Sequence, residues 1–538
     1  MVRPYLDRIG GKVENDVSLF TGGLNTYVDK AFLDANQMPF VINMTMTQPP
    51  KMETRPTRLS LADYFPDKQY PFGEKTILNM FMDGELGFFV IAGDGENAWV
   101  EEYEEKDTGW EVTNLGALDV QTSRYFFCHC WTAQDHYIYI MNENGKWRLE
   151  KGDNGWELSS PYTDDFYGIP EFHKGRLFIA NPTTRTVVAS YLYDFDNFDL
   201  QQTTYQLVAT LPDPENASNE AIYLMEYDTD YYTQYRYLGD GTNVLWKVLP
   251  EKILKTDVTI DGNTGTSLPD YSVCAAEFNV ANAIGDIVGM KSFDDKLYIF
   301  CKNSMHLLYG TTPDTSLSNQ FQLVDLNNGI GAYNQRCICV GSDYLFWLGN
   351  DKQVYQHTGS YTYMISRPTE EGTGGIDNLF NKNFSGPYMQ MCATNAKMFL
   401  NIGVRGIEND TLLVYDIYNK IWWAEDGELT SIAENKSQPG DAMLFMARPN
   451  GDIVYQYAQG TDFDTDMLYN FEENKLEEAP IKYEFQTRVY GADGTDTRKT
   501  ISDMWFQARA TASVYLGDLW TATNLWKTTI SDNSHLHG

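Results

Sequence analysis

Positive charge is what this 538-residue chain has least of: 40 Lys and Arg stand against 75 Asp and Glu, a formal net charge of −35. Holding a phosphate backbone depends on neutralising it with Lys and Arg, so nucleic-acid binding as a primary task is excluded. Repulsion can still serve a protein past which DNA must slide without adhering. Cysteine is sparse as well. The seven, at 128, 130, 274, 301, 337, 339 and 392, are odd in number and sit mostly inside apolar strand-like runs, which excludes a disulfide framework and fits folding in a reducing cytoplasm. No run approaches the roughly 18–20 apolar residues that span a bilayer, and no N-terminal stretch reads as a signal peptide. With a mean hydropathy of −0.42 the expectation is a soluble product, made in the cytoplasm and not exported by a standard route. Helical periodicity is almost missing; the one short candidate lies near GTGGIDNLFNKNF.

What the chain has in excess is aromatic surface, with 36 Tyr, 28 Phe and 12 Trp making up 14% of it. Flat rings pack well on pleated sheets, so strands are favoured. A short aromatic-aliphatic run recurs: GFFVIA at Phe88, YIYIM at Tyr137, RLFIA at Leu177, KLYIFC at Leu297, YLFWLG at Leu345, KMFLNI at Met398 and AMLFMA at Leu444. Several are followed by an Asn-Gly or Asn-Asp turn and a second strand, as in NGKWRLEK and PNGDIVYQYAQG, the pattern of a tight hairpin. Short antiparallel strands repeated at this spacing predict an all-β chain folded as a β-propeller of six to seven blades. A pair of β-sandwiches is the alternative.

The rhythm divides the chain. Residues 1–59 form an extended N-terminal arm, 60–200 the first blades, 201–282 an inserted β subdomain, 283–479 the remaining blades, and 480–538 a C-terminal β region. Within the insertion, TQYRYLGDGTNVLWKVL reads as a hairpin and VTIDGNTGT as a turn.

Chemistry-bearing motifs are few. Cys128-His129-Cys130 and Cys337-Ile338-Cys339 lack the C-x2–4-C spacing of zinc knuckles, and on a strand their thiols share one face, so buried small side chains are expected and no metal site. The acidic runs Asp194–Asp199 and Asp462–Asp466 place oxygens at alternate positions but lack the Gly and distal Glu of a calcium loop; solvated turns are expected. The seven histidines are scattered, with no H-E-x-x-H and no G-x-S-x-G. NNGIGA (Asn327–Ala332) opens no helical pattern that would make it a phosphate loop. No residue earns a catalytic label and no cofactor is implied; the expectation is that the protein is not an enzyme. A carboxylate pair set by fold geometry stays open to any chain this acidic, and Trp422-Trp423 offers stacking surface for sugars, which keeps a glycan-binding or glycan-cleaving propeller as the alternative reading.

The N-terminal arm carries a series of its own: Gly22-Gly23, Asn25, Asn36-Gln37, Asn43 and Arg55-Pro56. This series, together with IVGMKSFDDKLYIFCKNSMHLLYG (Ile287–Gly310) and GIGAYNQRCICVGSDYLFWLGNDKQVYQHTGSYTYMIS (Gly329–Ser366), resembles the tail hub or nozzle proteins of short-tailed, podovirus-like bacteriophages, also called packaged-DNA stabilisation proteins. The likeness extends over about residues 22–459. It implies a virion protein without enzymatic activity, arranged as a ring, a hexamer in this reading. The ring would sit below the portal and its adaptor ring, contact fibres or a needle, and pass double-stranded DNA without specific binding or any membrane contact. On that reading Gly22, Gly23, Asn25, Asn36, Gln37, Asn43, Arg55 and Pro56 belong to an assembly strap that buries little against its own chain and is ordered on a neighbouring subunit or the adaptor. The glycines allow the bend, and Pro49, Pro50 and Pro56 keep the rest extended.

Overall fold

The computed structural model describes residues 22–486 and two strands beyond them, 512–517 and 524–530. Segments 28–32, 35, 46–51, 84–86, 107–108, 121–123, 134, 153–154, 160–167, 199–203, 213–220, 238–245, 255–265, 268–273, 314–317, 342, 369–373, 377–387, 403–410, 436–442 and 458–464 lie outside the description. Seven sheets, each built on four antiparallel strands, follow one another around a closed ring, a seven-bladed β-propeller. Their innermost strands are Thr76–Asp83, Phe126–Trp131, Ile169–His173, Ile287–Phe293, Ile338–Gly341, Gln390–Ala393 and Ser431–Glu434. The last packs back against the first.

The apolar runs read from the sequence are the second strands of these blades. Successive residues of a strand point to opposite faces, and each blade is covered by a neighbour on both. In blade two, Ile138 and Ile140 pack with Phe89, Ile91 and Val100 of blade one, whereas the alternate Tyr139 and Met141 pack with Leu177 and Ile179 of blade three. Burial on both faces is why these strands read as continuous apolar segments and not as alternating ones. Hairpin turns are fixed locally. Asp94, Asn142, Asn181 and Asp416 each accept two backbone N–H groups from the residues two and three positions on, an Asx turn that fixes the chain reversal from its first side chain.

Two elements depart from the simple repeat. Blade three takes its outer strand, Ala276–Asn279, from beyond the insertion, so these residues belong to the ring although spacing put them within 201–282. Between them and the third strand, Thr186–Ala189, the chain builds a separate five-stranded sheet that includes the expected hairpin Tyr231–Tyr237 with Trp246–Leu254. Blade seven takes its fourth strand, Arg58–Ser60, from before blade one: Ser60, Leu59 and Arg58 pair with Val454, Tyr455 and Gln456. The hairpin Thr465–Asn470 with Lys475–Pro480 continues that sheet outward, and Phe40–Ile42 with Glu484–Gln486 extends blade six.

The expectation of an arm with little self-burial is therefore corrected. Leu24, Met38, Val41 and Met44 belong to the core shared by blades five, six and seven. Extended backbone next to an open sheet edge satisfies its N–H and C=O groups there, and the apolar side chains follow it into the core. Pro49, Pro50, most of GTGGIDNLFNKNF and most of VTIDGNTGT fall outside the described residues. The described helices are short 3-10 turns such as Leu61–Tyr64, and none is long and apolar enough to cross a membrane.

Candidate functional site

The arm residues converge where the ring closes. Arg55 sits at the end of a short extended stretch that leads into Arg58–Ser60, and its guanidinium is aimed inward. It donates two parallel bonds to Asp466, Nη1 to Oδ1 at 2.9 Å and Nη2 to Oδ2 at 2.6 Å. Its Nε donates to Asn43 Oδ1 at 3.0 Å, and its outer nitrogens reach Pro56 O at 3.1 Å and Asp426 Oδ1 at 3.4 Å. Arg58 adds a second layer. Its backbone N–H donates to Asp466 Oδ1 at 2.9 Å, its Nη2 to Glu425 Oε2 at 3.2 Å, its Nε to Gln456 Oε1 at 3.3 Å and its Nη1 to the carbonyl of Asp426. Asn43 closes the network by accepting from the Asp426 N–H at 2.9 Å and donating to Lys482 O at 2.6 Å.

Two guanidinium groups thus meet three carboxylates, and all but Asp426 are nearly sealed from solvent. Burial opposes the charge of Arg55, but the hydrogen bonds and charge of Asp466, helped by Glu425 and Asp426, hold its pKa above the ordinary arginine value. Arg58 is shifted the other way, by its own burial and then by the charge of Arg55. Burial pushes Asp426 up, but Arg58 and Arg55 outweigh it and leave the carboxyl below its usual range. Every nitrogen of the two arginines' heads faces a fixed partner, so the cluster works as a clamp.

A second anchor lies one turn on. Asp452, fully buried, accepts from Ser60 Oγ at 2.6 Å, Tyr70 OH at 3.1 Å and the Tyr469 N–H at 3.0 Å, tying together the three segments that meet at blade seven. The earlier arm residues hold the outside of blade six. Gly22 donates to Asn36 O at 3.0 Å, Asn25 Nδ2 to Gln37 Oε1 at 2.7 Å, and Gly374 to Gly22 O at 2.7 Å. Gly23 has φ +66°, and an added Cβ would stand 2.9 Å from Trp422 O, so the position requires glycine on both counts. Of the eight arm candidates, all but Asn36 are buried within their own chain, and Asn36 is partly buried. The structure joins Asn43, Arg55 and Pro56 in the clamp and leaves Gly22, Gly23, Asn25, Asn36 and Gln37 as a separate latch.

Sequence reasoning missed the carboxylate half of the clamp. Asp466 ends one of the acidic runs read as a solvated turn; it is 6% exposed and bound to Arg55. In the other run Asp196 pairs with Arg148 and accepts from Tyr139 OH at 2.9 Å, and Asp194 is buried. Asp194 and Asp466 are thus corrected from solvated turn positions to buried ones, and Asp196 to a partly buried ion-pair partner; Asp199, Asp462 and Asp464 lie outside the described residues. Trp422 and Trp423 are fully buried, with Trp422 Nε1 donating to Ile365 O at 2.9 Å, and cannot stack on a sugar. Cys128 and Cys130 are buried on one face of their strand with sulfurs 3.9 Å apart, and Cys337 and Cys339 are buried too. Along the inner strands, polar bonds stitch blade to blade: Asn79 to Tyr125 O at 2.8 Å, His173 Nδ1 with Ser292 Oγ at 2.8 Å, and Arg336 to Gln390 Oε1 at 2.6 Å. Burial, with the charge of Lys174, lowers His173 to about 4, which keeps it neutral near pH 7.

No protein-family model and no curated protein matches this chain. Among solved structures it is similar to BamB from Moraxella catarrhalis, 8% identical over 72% of this chain and 99% of that one, with a TM-score of 0.31. It is also similar to YCF48 bound to a D1 peptide, 13% identical over 73% of this chain and 94% of that one, TM-score 0.33. A third is apo AztD from Citrobacter koseri, 9% identical over 74% and 96%, TM-score 0.32. At this level of likeness the fold rests on the chain's own sheet order, and none of these proteins speaks to what it does.

Proposed function

We propose that the chain is a non-enzymatic structural protein of a short-tailed phage tail, a hub or nozzle subunit. In the virion it forms a ring, a hexamer in this reading, below the portal and its adaptor, retains packaged DNA and lets it pass at ejection. One observation supports the reading most directly: three of the residues that carry the resemblance, Asn43, Arg55 and Pro56, meet at the closure of this propeller and tie blade six to blade seven. A clamp at the closure is what a subunit needs if its ring must hold under the load of packaged DNA. The excess of acidic side chains fits a passage that DNA must not adhere to.

In this reading contacts between subunits fall on surfaces other than the buried arm residues. The inserted sheet of blade three is a large appended element with exposed apolar and aromatic side chains, among them Tyr227 at 57% and Val248 at 54%. Single-particle imaging of the purified protein, alone and with an adaptor ring, tests the reading. Cyclic symmetry around a passage of about 20 Å or more, wide enough for a duplex, is expected. Monomers under both conditions, together with saturable binding of purified surface glycan, would replace it by the glycan-binding alternative.

A further inference from the structure

Blade two carries a histidine pair that the clamp and the ring closure do not use. His129 lies on the inner strand Phe126–Trp131 and His136 opens the next strand, His136–Met141, directly opposite Trp131. The turn between them is fixed by Thr132 N–H to Asp135 O and Asp135 N–H to Thr132 Oγ1, both at 2.9 Å. His129 Nε2 and His136 Nδ1 stand 3.1 Å apart, with ring centroids at 5.3 Å and planes 28° from parallel. The pair is open to solvent on one side and backed by aromatic rings on the other: Trp131 at 5.0 Å from His129 and Phe81 at 6.4 Å.

We propose that His129 and His136 form a chelating site for a divalent transition cation with imidazole affinity, Cu2+ or Zn2+. Imidazole nitrogens bind such ions at roughly 2.0–2.1 Å, so two of them on one cation at an angle near 100° lie roughly 3.1–3.2 Å apart. The pair already stands at that separation on two hydrogen-bonded strands, so binding exchanges the imidazole–imidazole hydrogen bond for two metal–nitrogen bonds: the proton between the rings moves to the donor ring's other nitrogen, and each ring turns its lone pair toward the cation. Copper is expected to bind more tightly than zinc, and magnesium not at all, because imidazole suits the later first-row ions. Two protein ligands leave the remaining positions to water or to a ligand from another molecule; no third His, Cys, Asp or Glu completes the set among the described residues.

The experiment is a titration of the full chain with Cu2+, Zn2+ and Mg2+, read by calorimetry and by tryptophan fluorescence, since Trp131 is close enough to be quenched by bound copper. His535 and His537 near the end of the sequence are replaced by Gln throughout, so that they cannot supply a competing site. One equivalent of copper should bind, with affinity falling at least about tenfold in either His129→Gln or His136→Gln, since even loss of a group behind a ligand typically costs that much. Copper-loaded protein with both histidines intact should show two equatorial imidazole nitrogens by electron paramagnetic resonance, a signature that needs no further variant to fold. Unchanged titrations in both variants, or no saturable binding of copper by the protein that retains both, would overturn the assignment.

Discussion

Replacing Asp466 by Ala removes the acceptor of two bonds from Arg55 and one from the backbone of Arg58, all inside the seam that closes the ring. Arg55 is 2% exposed, so its charge cannot turn to water; what remains is Asn43, Pro56 O and the longer contact to Asp426 at 3.4 Å. Removing one member of a buried pair costs about 3–5 kcal/mol, because the partner's charge stays behind without compensation. The loss should be local in its first effect: amides of Arg58–Ser60, which pair with Val454–Gln456, should exchange hydrogen faster than those of blades two to four. Chemical denaturation combined with hydrogen exchange measures both. The double substitution Arg55→Met with Asp466→Leu removes both charges and should be less destabilised than Asp466→Ala alone. Salt should have little effect on the difference, since buried pairs are weakly screened. A single variant within about 1 kcal/mol of the parent, or a double variant no more stable than Asp466→Ala, would refute the argument that the clamp holds the closing strand.

Gly23→Ala should destabilise by about 1–3 kcal/mol, from the left-handed backbone and the approach to Trp422 O, measurable as a lower denaturation midpoint; a neutral result would mean the latch relaxes freely. His173, lowered from 6.5 to about 4, takes up its proton in the unfolded chain first, so stability should fall as pH drops from about 6.5 toward 4, by at most roughly 3 kcal/mol. His173→Gln should flatten that part of the pH profile relative to the parent, and identical profiles would discount the group. Replacing residues 200–272 by a short Gly-Ser linker should leave a folded propeller, since the inserted sheet has its own small core around Tyr223, but should abolish ring formation if that sheet makes the subunit contact; circular dichroism and light scattering separate the two effects.

The blade repeat was legible because its causes are local. A strand buried on both faces must be apolar throughout, as YIYIM and KLYIFC are, and Asn and Asp at the hairpin turns bond their own backbone within three residues. The same locality hid the site. Whether Asp466 meets water or a guanidinium depends on Arg55, 411 residues away, and Arg58 reaches Gln456 across 398. Trp422 and Trp423 look alike as stacking surface or core until blades five and seven and the arm cover both faces of blade six.

Composition and period by themselves determined an acidic all-β chain of repeated hairpins, with an insertion near its middle and Gly22, Asn43 and Arg55 marked out in its first part. Tertiary structure decided that there are seven blades, that the seventh is completed by Arg58–Ser60, that Ala276–Asn279 returns to blade three, and that the arm is the ring's own fastening. The physical reason is that an open sheet edge accepts any strand able to satisfy its backbone groups, and the choice among strands is made by side chains hundreds of residues apart that meet only once the ring has formed.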